Sequence, residues 1–450
     1  MKSVFPDLFN FATACRNPDS VKNIVTDSSN VNQNSAFPIK SLWGDLAMVE
    51  GYPSLIIFFA TLDHLFPEHK WDVIAHSCML KIKESIDKAG VPKHASLYGG
   101  LAGLCHAIRF ASKQGTRYEK ILHKLDDILL EQIKTQYILP LKEQILGGKA
   151  TDPRQYELIQ GVSGVGLYLL QKSLPSKFRE ILEEVISLLI ALTHPIRIGN
   201  HEVPGWYIPY EMQFSESDKK NYPAGNFNMG LSHGITGVLG FLAIASLNGI
   251  NLPNQKEAMQ RISHWLTSKC SIEEEKLFYK ARVAFEEEVN GIPEKIISSH
   301  NREAWCYGTP GVARVLYLAG KALHDDELKS FSIKTFSSLF ERPRETWNLP
   351  GPTICHGIAG LLLVTHFMAE DSQNLYLISK KNLLQNILTE YFDPNTPFGF
   401  TDFELCKDQS YAKINMSGLL TGAVGVWLSL LTVEMKKIPN WYFPFMVNNV

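Results

Sequence analysis

Seven stretches of the chain join a glycine-rich turn to a run of apolar residues. Six of them contain Gly-x-x-Gly, namely YGGLAGLCHAIRFA, IQGVSGVGLYLL, SHGITGVLGFLAIA, CYGTPGVARVLYLA, CHGIAGLLLVTHFMA and LTGAVGVWLSLL. The seventh, VEGYPSLIIFFATL, has Ser54 where the second glycine would stand. The first glycines of the seven turns are Gly51, Gly100, Gly161, Gly234, Gly308, Gly357 and Gly422. A helix that is apolar almost all round is typical of a buried element, so this repeat predicts seven buried helices.

Amphipathic segments lie between these runs. Residues 118–136 and 177–194 carry apolar side chains at positions i, i+3, i+4 and i+7, which is the pattern of a helix with one buried face. Seven inner helices, each backed by an outer amphipathic helix, predict an all-α fold of the α/α toroid type. The glycines are expected where each loop and the following helix start crowd together at one end of the toroid.

Two segments depart from the helical pattern. Residues 195–228 and 392–406 are rich in proline, glycine and aromatic residues and lack a helical period, which predicts short strands or ordered loops. We therefore predict one toroid domain over residues 1–450, with a small inserted extension that contains short strands at about 195–228. The lysine- and glutamate-rich runs at 118–142 and 255–288 are interpreted as solvated helix faces.

The composition fits a chain with a large core. Of the 450 residues, 45% are hydrophobic and 20% are charged, which argues against global disorder. The formal net charge is −2, so nothing indicates a nucleic-acid-binding surface. Apolar runs such as 54–62 and 357–369 are too short for a membrane span, which needs roughly 18–20 residues. The N-terminal segment has the pattern of neither a signal peptide nor a transit peptide, and we expect a cytoplasmic protein with its cysteines as thiols.

Chemically active side chains lie directly before three of the glycine turns. They are His233 in SHG, Cys306 and Tyr307 in AWCYG, and Cys355 and His356 in ICHG. Cys306 and Cys355 each stand two residues before the first glycine of their turn, so they occupy the same position in successive repeats. If all the turns lie at one end of the toroid, these side chains face a common cavity. Two thiolates and one imidazole suit Zn²⁺ and leave its fourth position open, as in catalytic zinc sites.

Less specific interpretations stay open for these residues. A cysteine in a glycine-rich loop can be a small buried hydrophobic residue, and His233 can be a core histidine bonded to a backbone carbonyl group.

With zinc present, a coordinated thiol loses its proton and becomes a nucleophile at neutral pH. His233, from the preceding repeat, is then placed to move a proton.

The motifs GLSHGITG, NREAWCYGTPG and ICHGIAG, in this order and with these spacings, resemble those of the lanthionine synthetase C-like cyclases. The resemblance is strongest to the stand-alone bacterial lantibiotic cyclases, and it covers essentially the whole chain through the seven glycine turns. It implies an α/α toroid with one Zn²⁺ ion per chain. It also implies a Michael addition, in which cysteine thiolates of a dehydrated precursor peptide attack dehydroalanine or dehydrobutyrine and close thioether rings.

The resemblance assigns the metal ligands and the proton carrier residue by residue. Cys306, Cys355 and His356 match the zinc ligands of the family. His233 matches the proton-transfer histidine, which is expected to protonate the enolate after thiolate attack or to assist deprotonation of the thiol.

Three further residues are implicated by the same resemblance. Arg302 and Tyr307 match polar residues that line the site. The family usually has an aspartate before the glycine of the second complete repeat, and Glu157 stands in that place here, one methylene longer. We expect Glu157 either to orient His233 or to face the solvent.

The resemblance also suggests partners. The substrate would be a dehydrated precursor peptide with its leader, and residues 195–228 could contact that leader or another protein. A dehydratase and an ABC exporter would join the chain in a complex at the inner face of the membrane. Two other activities stay open: a related toroid enzyme that adds glutathione or another small thiol to dehydro-residues, and a zinc-bearing scaffold that binds a peptide without catalysis.

The segment GLSHG also satisfies Gly-x-Ser-x-Gly, the nucleophile motif of α/β-hydrolases. That motif requires a buried strand before the serine and a helix after it. The segment NYPAGNFNM ahead of it does not have the pattern of a buried strand, and the chain lacks alternating strands and helices. A serine hydrolase is therefore the weaker interpretation.

Overall fold

The computed structural model describes residues 5–36, 41–171, 174–291 and 302–448. In this part of the chain, helices dominate and every strand belongs to a two-stranded antiparallel sheet. The predicted all-α fold class, with a few small strands, is confirmed. None of the helices in the described ranges is long and apolar enough to cross a membrane. The prediction of one domain over residues 1–450 reaches beyond the described residues and stays a prediction.

The described α-helices are numbered in chain order. They are α1 (Phe5–Ala14), α2 (Pro18–Thr26), α3 (Tyr52–Leu65), α4 (Trp71–Ala89), α5 (Leu101–Phe110), α6 (Glu119–Ile133), α7 (Leu139–Leu146), α8 (Pro153–Tyr156), α9 (Val162–Leu169), α10 (Lys177–Leu192), α11 (Glu216–Asn221), α12 (Ile235–Leu247), α13 (Gln255–Ser268), α14 (Phe285–Asn290), α15 (Thr309–Leu323), α16 (Asp326–Ser338), α17 (Ile358–Ser372), α18 (Leu375–Thr389) and α19 (Ala423–Glu434).

The strands form four antiparallel pairs. They are β1 (Ile196–Ile198) with β2 (His201–Val203), β3 (Asn226–Asn228) with β6 (Arg282–Ala284), β4 (Ser271–Glu273) with β5 (Lys276–Phe278), and β7 (Asp402–Leu405) with β8 (Tyr411–Ile414). The short strands predicted at 195–228 are therefore present. The sequence pattern ahead of GLSHG predicted no buried strand, and this is wrong. A short buried strand, β3, precedes that segment. It pairs with β6 in a two-stranded antiparallel sheet and adds only an isolated antiparallel bridge between Asn226 and Ile208, so it does not build the sheet that an α/β-hydrolase needs.

Each of the seven glycine turns leads into a helix, as predicted. The first glycines are the N-cap residues of α3, α5, α9, α12, α15, α17 and α19. These helices are buried along most of their length, and α12 is buried without a break from Ile235 to Ala245. A glycine repeat and an apolar run together predicted the helix starts.

The turn before α15 shows why glycine is needed. Gly308 has a φ of 92°, a conformation that residues with a side chain rarely adopt, and a Cβ atom there would lie 1.9 Å from the carbonyl oxygen of Arg302. A Cβ atom on Gly311, one turn later, would lie 2.3 Å from the carbonyl oxygen of Trp305. The loop and the start of the helix therefore pack backbone against backbone.

The described residues cluster into two compact units. Unit 1 draws on residues 1–94, 98–127 and 349–441. In unit 1, α3 packs against α4, α5 and α19, and α17 packs against α18 and α19. An inner helix backed by an outer one is therefore present within this unit, in α3 with α4 and in α17 with α18.

Unit 2 draws on residues 95–97, 128–348 and 442–450. Its glycine-led helices α9, α12 and α15 pack side by side, with α10, α13 and α16 against them. The C-terminal residues complete the unit. The Trp305 indole N–H donates to the carbonyl group of Phe445 (2.8 Å), and the fully buried Arg314 donates through Nε to the carbonyl group of Val447 (2.7 Å).

Candidate active site

Three glycine turns of unit 2 lie side by side. The backbone N–H of Leu158 donates to the carbonyl group of Ser232 at 3.2 Å, and the N–H of Ser232 donates to the carbonyl group of Cys306 at 3.2 Å. The Ser232 hydroxyl donates to the same Cys306 carbonyl group at 3.3 Å. These bonds bring His233, the next residue, beside the turn that carries Cys306. They also give the Ser232 hydroxyl a structural bond that a serine nucleophile would not have.

The turns of unit 1 are joined in the same way. The N–H of Cys355 donates to the carbonyl group of Leu420 (3.0 Å), that of Leu419 donates to Val49 (2.7 Å), and that of Val49 donates to Tyr98 (3.2 Å). Positions close to the first glycine of each turn are therefore neighbours within each unit. Repeat register, which the sequence analysis used to pair Cys306 with Cys355, corresponds to a repeated backbone arrangement.

His233 is held by a buried carboxylate. Its Nδ1 lies 2.6 Å from Oε2 of Glu157, which is 0% exposed, while the His233 side chain is 27% exposed. The same carboxylate accepts the backbone N–H groups of Ile159 (3.0 Å), Gln160 and Gly161 (2.9 Å). A histidine that donates from Nδ1 to a carboxylate presents Nε2 as the atom that exchanges protons. Glu157 does not face the solvent, so the first of the two expectations for it fits its position.

Tyr307 lies on another side of His233, with 6.3 Å between the ring centroids. The Asn228 side-chain amide donates to the Tyr307 hydroxyl at 3.2 Å, and the Arg282 guanidinium lies 5.4 Å from the centre of the ring. Arg282 pairs with Asp218 at 3.0 Å. Burial raises the pKa of the Tyr307 hydroxyl, although Arg282 acts in the opposite direction. The phenol is therefore a hydrogen-bond donor at neutral pH.

His356 has a carboxylate behind it within unit 1. Its Nε2 lies 3.7 Å from Oδ1 of Asp402, and the Thr353 hydroxyl donates to the same oxygen at 3.2 Å. Burial raises the pKa of Asp402, while His356 lowers it. A carboxylate near one ring nitrogen is the usual support for a histidine whose other nitrogen binds a metal.

The three residues expected to bind zinc are thiols and an imidazole. Cys306 is buried, Cys355 and His356 are partly exposed, and neither cysteine is in a disulfide. Across the described residues, no group of three or more His, Cys, Asp or Glu side chains is gathered to hold a metal ion. The donor types and the Asp402 carboxylate next to His356 fit Zn²⁺. The assignment of the three ligands stays a prediction.

Arg302 lies six residues before Gly308 and is partly buried. Its carbonyl oxygen faces Gly308, as described above, and its assignment as a residue that lines the site stays a prediction. Asn301, which opens the motif NREAWCYGTPG, lies outside the described residues.

The sequence analysis missed several residues that support the site. Phe214, Asn228 and Asp402 contact His233, Tyr307 and His356, respectively. All three missed residues lie in the segments 195–228 and 392–406, which have no helical period. Without a period, the sequence gives no signal that tells which side chains of a segment point towards a site.

Comparisons with known proteins place the chain in a family. The sequence profile of the family described as lanthionine synthetase C-like protein matches residues 42–447. Nisin biosynthesis protein NisC from Lactococcus lactis subsp. lactis is 28% identical over 322 residues, which are 71% of this chain and 73% of that protein. The solved structure of nisin cyclase matches with a TM-score of 0.73 at 23% identity, over 90% of this chain and 93% of the other, so the two share a fold. Since the profile covers nearly the whole sequence, the chain belongs to the lanthionine synthetase C-like family.

Proposed function

We propose that this protein is a zinc-dependent lanthipeptide cyclase. It would close lanthionine and methyllanthionine rings by adding cysteine thiols of a dehydrated precursor peptide to dehydroalanine or dehydrobutyrine. Membership of the family and the similarity to NisC support the reaction class. The observation that carries the proposal for this chain is the pair of the buried Glu157 and the partly exposed His233, whose neighbour Ser232 is hydrogen-bonded to the turn that holds Cys306.

Cys306, Cys355 and His356 are the proposed zinc ligands. Bound zinc would lower the pKa of the substrate thiol and keep it as a thiolate at neutral pH. Asp402, 3.7 Å from Nε2 of His356, would hold that ring in the orientation that leaves Nδ1 for the metal. Tyr307, next to Cys306, would donate a hydrogen bond into the same site.

His233 would carry the proton through both halves of the reaction. Its Nε2 accepts the proton that the substrate thiol gives up, and the resulting thiolate then attacks the β-carbon and forms the C–S bond. The electron pair of the C=C bond moves to the carbonyl group and gives an enolate, and Nε2 returns the proton to the α-carbon. Glu157 stabilises the imidazolium that exists between these two steps, since its Oε2 is 2.6 Å from Nδ1. The thiol proton thus ends on carbon, and no other reactant is consumed.

The proposed partners are those that the resemblance to the family suggests. The chain would act in the cytoplasm on a precursor peptide with its leader, after a dehydratase has made the dehydro-residues. An ABC exporter and the dehydratase would form a complex with it at the inner face of the membrane. The extension at 195–228 is one surface that could contact the leader.

Metal content tests the ligand set directly. Elemental mass spectrometry of the purified protein should give about one zinc per chain, and Cys355→Ala and Cys306→Ala should each lose it. Cys270→Ala, which removes a cysteine with no proposed role, should keep it. Wild-type protein that is purified without zinc and that does not take it up would refute the proposal for all three ligands.

Cyclisation tests the reaction. A peptide with one dehydroalanine and one cysteine should lose its alkylatable thiol in the presence of the protein without a change of mass. His233→Ala should retain zinc and slow this loss by about 10²–10⁴-fold. The same peptide without its cysteine, offered with glutathione, separates the alternatives, because addition of the small thiol increases the mass. Binding of the peptide with no loss of thiol would indicate a scaffold.

A further inference from the structure

The ring of Phe214 lies directly against the proposed proton carrier. The centroids of Phe214 and His233 are 4.8 Å apart, with 45° between the ring planes. The hydrogen bond to Glu157 holds Nδ1 alone, and because hydrogen-bond angles are tolerant the imidazole can still swing about its χ1 and χ2 torsions. A flat side chain in contact with the ring limits this rotation, and so fixes the direction in which Nε2 points.

Phe214 is itself held by Arg154. The Arg154 guanidinium lies 4.8 Å from the centre of the Phe214 ring, and its Nη1 donates to the carbonyl group of Met212 at 3.2 Å. Asp152 holds the same nitrogen at 3.2 Å. Arg154 belongs to α8, and Glu157 is the C-cap residue of α8. This four-residue helix and its C-cap residue therefore support His233 twice, directly through Glu157 and indirectly through Arg154 and Phe214.

The backbone on both sides of Phe214 is anchored. The Gln213 amide, almost fully buried, donates to the carbonyl group of Tyr222 at 2.7 Å. The Ser215 hydroxyl accepts the backbone N–H of Asp218 at 3.0 Å and so caps α11. These bonds anchor the residues on both sides of Phe214, as a positioning role requires.

The same segment also supports the other side of the site. Asp218, on α11, pairs with Arg282 beneath the ring of Tyr307, and Asn228, at the end of β3, donates to the Tyr307 hydroxyl. Residues 212–228 thus contact the surroundings of both His233 and Tyr307. They lie within the extension, whose proposed contact with a leader peptide would not require any of these bonds.

We propose that Phe214 is a positioning residue for His233, and that residues 212–228 belong to the catalytic framework in addition to any role in binding partners. The inference rests on the proposed role of His233. It attributes to Phe214 the orientation of the imidazole ring and not the binding of the metal or of the peptide. Loss of the aromatic ring should therefore lower kcat and leave KM and the zinc content unchanged.

Three variants and a matched control test this inference with the whole protein. Phe214→Leu keeps an apolar side chain but loses the flat ring, and kcat for the model peptide should fall by about ten- to a hundredfold. KM should stay within about twofold of the wild-type value. Phe214→Tyr should restore kcat. Tyr411→Leu, an equivalent change at a 49% exposed aromatic residue of β8, outside the extension, should have no effect.

The third variant and a spectroscopic readout separate positioning from general damage. Arg154→Met keeps the Phe214 side chain but removes the guanidinium that lies against it and the bond to Met212, and should give a smaller loss of kcat. In protein labelled with ¹⁵N-histidine, Phe214→Leu should shift or broaden the His233 ring signals, which His233→Ala identifies by their absence. Wild-type kcat together with unchanged His233 signals in Phe214→Leu would overturn the inference. Wild-type protein that fails to consume the thiol would instead refute the proposed function, and the ring signals would still decide the role of Phe214.

Discussion

The carboxylate of Glu157 is surrounded by hydrogen-bond donors. Three backbone N–H groups of the turn before α9 and the imidazole of His233 all point at its two oxygens. A fully buried carboxylate is costly unless its oxygens are bonded, and here the turn supplies most of the bonds. The position of Nδ1 of His233 is therefore set by the fold of the turn, through the glutamate that the turn holds.

Replacement of Glu157 should separate stability from catalysis. Glu157→Gln keeps the length of the side chain but places an amide against backbone N–H groups, so we expect a loss of about 1–3 kcal/mol in the free energy of unfolding. We also expect about a 10²-fold slower cyclisation, because the imidazolium loses its counter-charge. Denaturant unfolding and the thiol-consumption assay measure the two effects.

Glu157→Asp tests the family's usual acid in this chain. The shorter side chain cannot reach both the backbone N–H groups and His233, so we expect activity between that of wild type and that of Glu157→Gln. Glu303→Gln is a matched control for the effect on the free energy of unfolding. Glu303 is also buried, and its carboxylate also accepts a backbone N–H group at the start of a helix, that of Thr309. If Glu157→Asp matched or exceeded wild-type activity, the length of the acid would be irrelevant to the orientation of His233.

His106 on α5 should make the fold sensitive to acid. Burial lowers the pKa of its imidazole to about 4, and the nearby Arg109 acts in the same direction. The unfolded chain, with a histidine pKa near 6.5, binds the proton more readily, so stability is full above pH 6.5 and is lost as the pH falls towards 4. The loss amounts to about 3 kcal/mol.

The variant His106→Met should remove this dependence. The free energy of unfolding is measured at pH 7 and pH 4.5 for both proteins. It should fall less between these two pH values in His106→Met than in wild type. His123→Gln, at an exposed position of α6, serves as the control. Equal acid sensitivity in wild type and His106→Met would contradict the assignment.

At the level of single residues, the sequence indicated those that stand in the glycine turns. His233, Cys306 and Cys355 could be singled out because the repeat gives each of them a defined register. Phe214 and Asp402 could not, because their side chains reach the site from irregular loops and short strands. Their positions depend on long-range contacts such as those of Arg154 and Thr353, which no local pattern encodes.

Among the secondary-structure elements, the hairpin of β4 and β5 is one that the sequence analysis predicted wrongly. Residues 255–288 were interpreted as a solvated helix face, and this is wrong between α13 and α14, where β4, β5 and β6 lie. The loop that joins β4 to β5 consists of Glu274 and Glu275, both with positive φ. Tight hairpins usually have asparagine or glycine at such positions, so the sequence lacked the expected turn signal. The charges of the two glutamates were mistaken for those of a helix surface.

The helix starts were predictable because backbone crowding leaves room only for glycine, and Gly308→Ala should expose this constraint. Positive φ and the 1.9 Å approach to the Arg302 carbonyl oxygen together should reduce the free energy of unfolding by at least about 3 kcal/mol. Because Cys306 lies two residues earlier, zinc retention should fall as well. Gly99→Ala is the matched control, since a Cβ atom there meets nothing within 4 Å. Similar thermal unfolding of the two variants would show that the turn can rearrange at little cost.

On the scale of the whole molecule, the C-terminal residues have an effect larger than their number suggests. Phe445 is 0% exposed, and its ring lies 5.3 Å from that of Trp305, the residue before Cys306. Phe445→Ala should therefore lower the free energy of unfolding by about 3–5 kcal/mol. It should also disturb the turn of Cys306, which zinc content would report. Tyr411→Ala, at an exposed residue of β8, should be nearly neutral in urea unfolding.

The seven-helix repeat was accessible to sequence analysis because it recurs, whereas the role of the C-terminal segment was not. WYFPFMVNNV has no helical period and follows the last repeat, so nothing in its pattern indicates which part of the molecule it packs against. The buried Arg314 gave no signal either. The role of a lone arginine in an apolar helix cannot be predicted from the sequence, because the group that it binds, here the carbonyl group of Val447, is far away in the chain.

The discontinuity of unit 2 has a consequence for biosynthesis. Residues 128–348 leave the ribosome before residues 349–441 of unit 1, and residues 442–448 leave it afterwards. During all of that interval, the Trp305 indole and the Arg314 guanidinium lack the carbonyl groups that they bind in the finished fold. The nascent chain thus carries an incomplete unit 2 through the translation of nearly one hundred further residues, and the turn that holds Cys306 reaches its final packing only after the C-terminal residues have emerged.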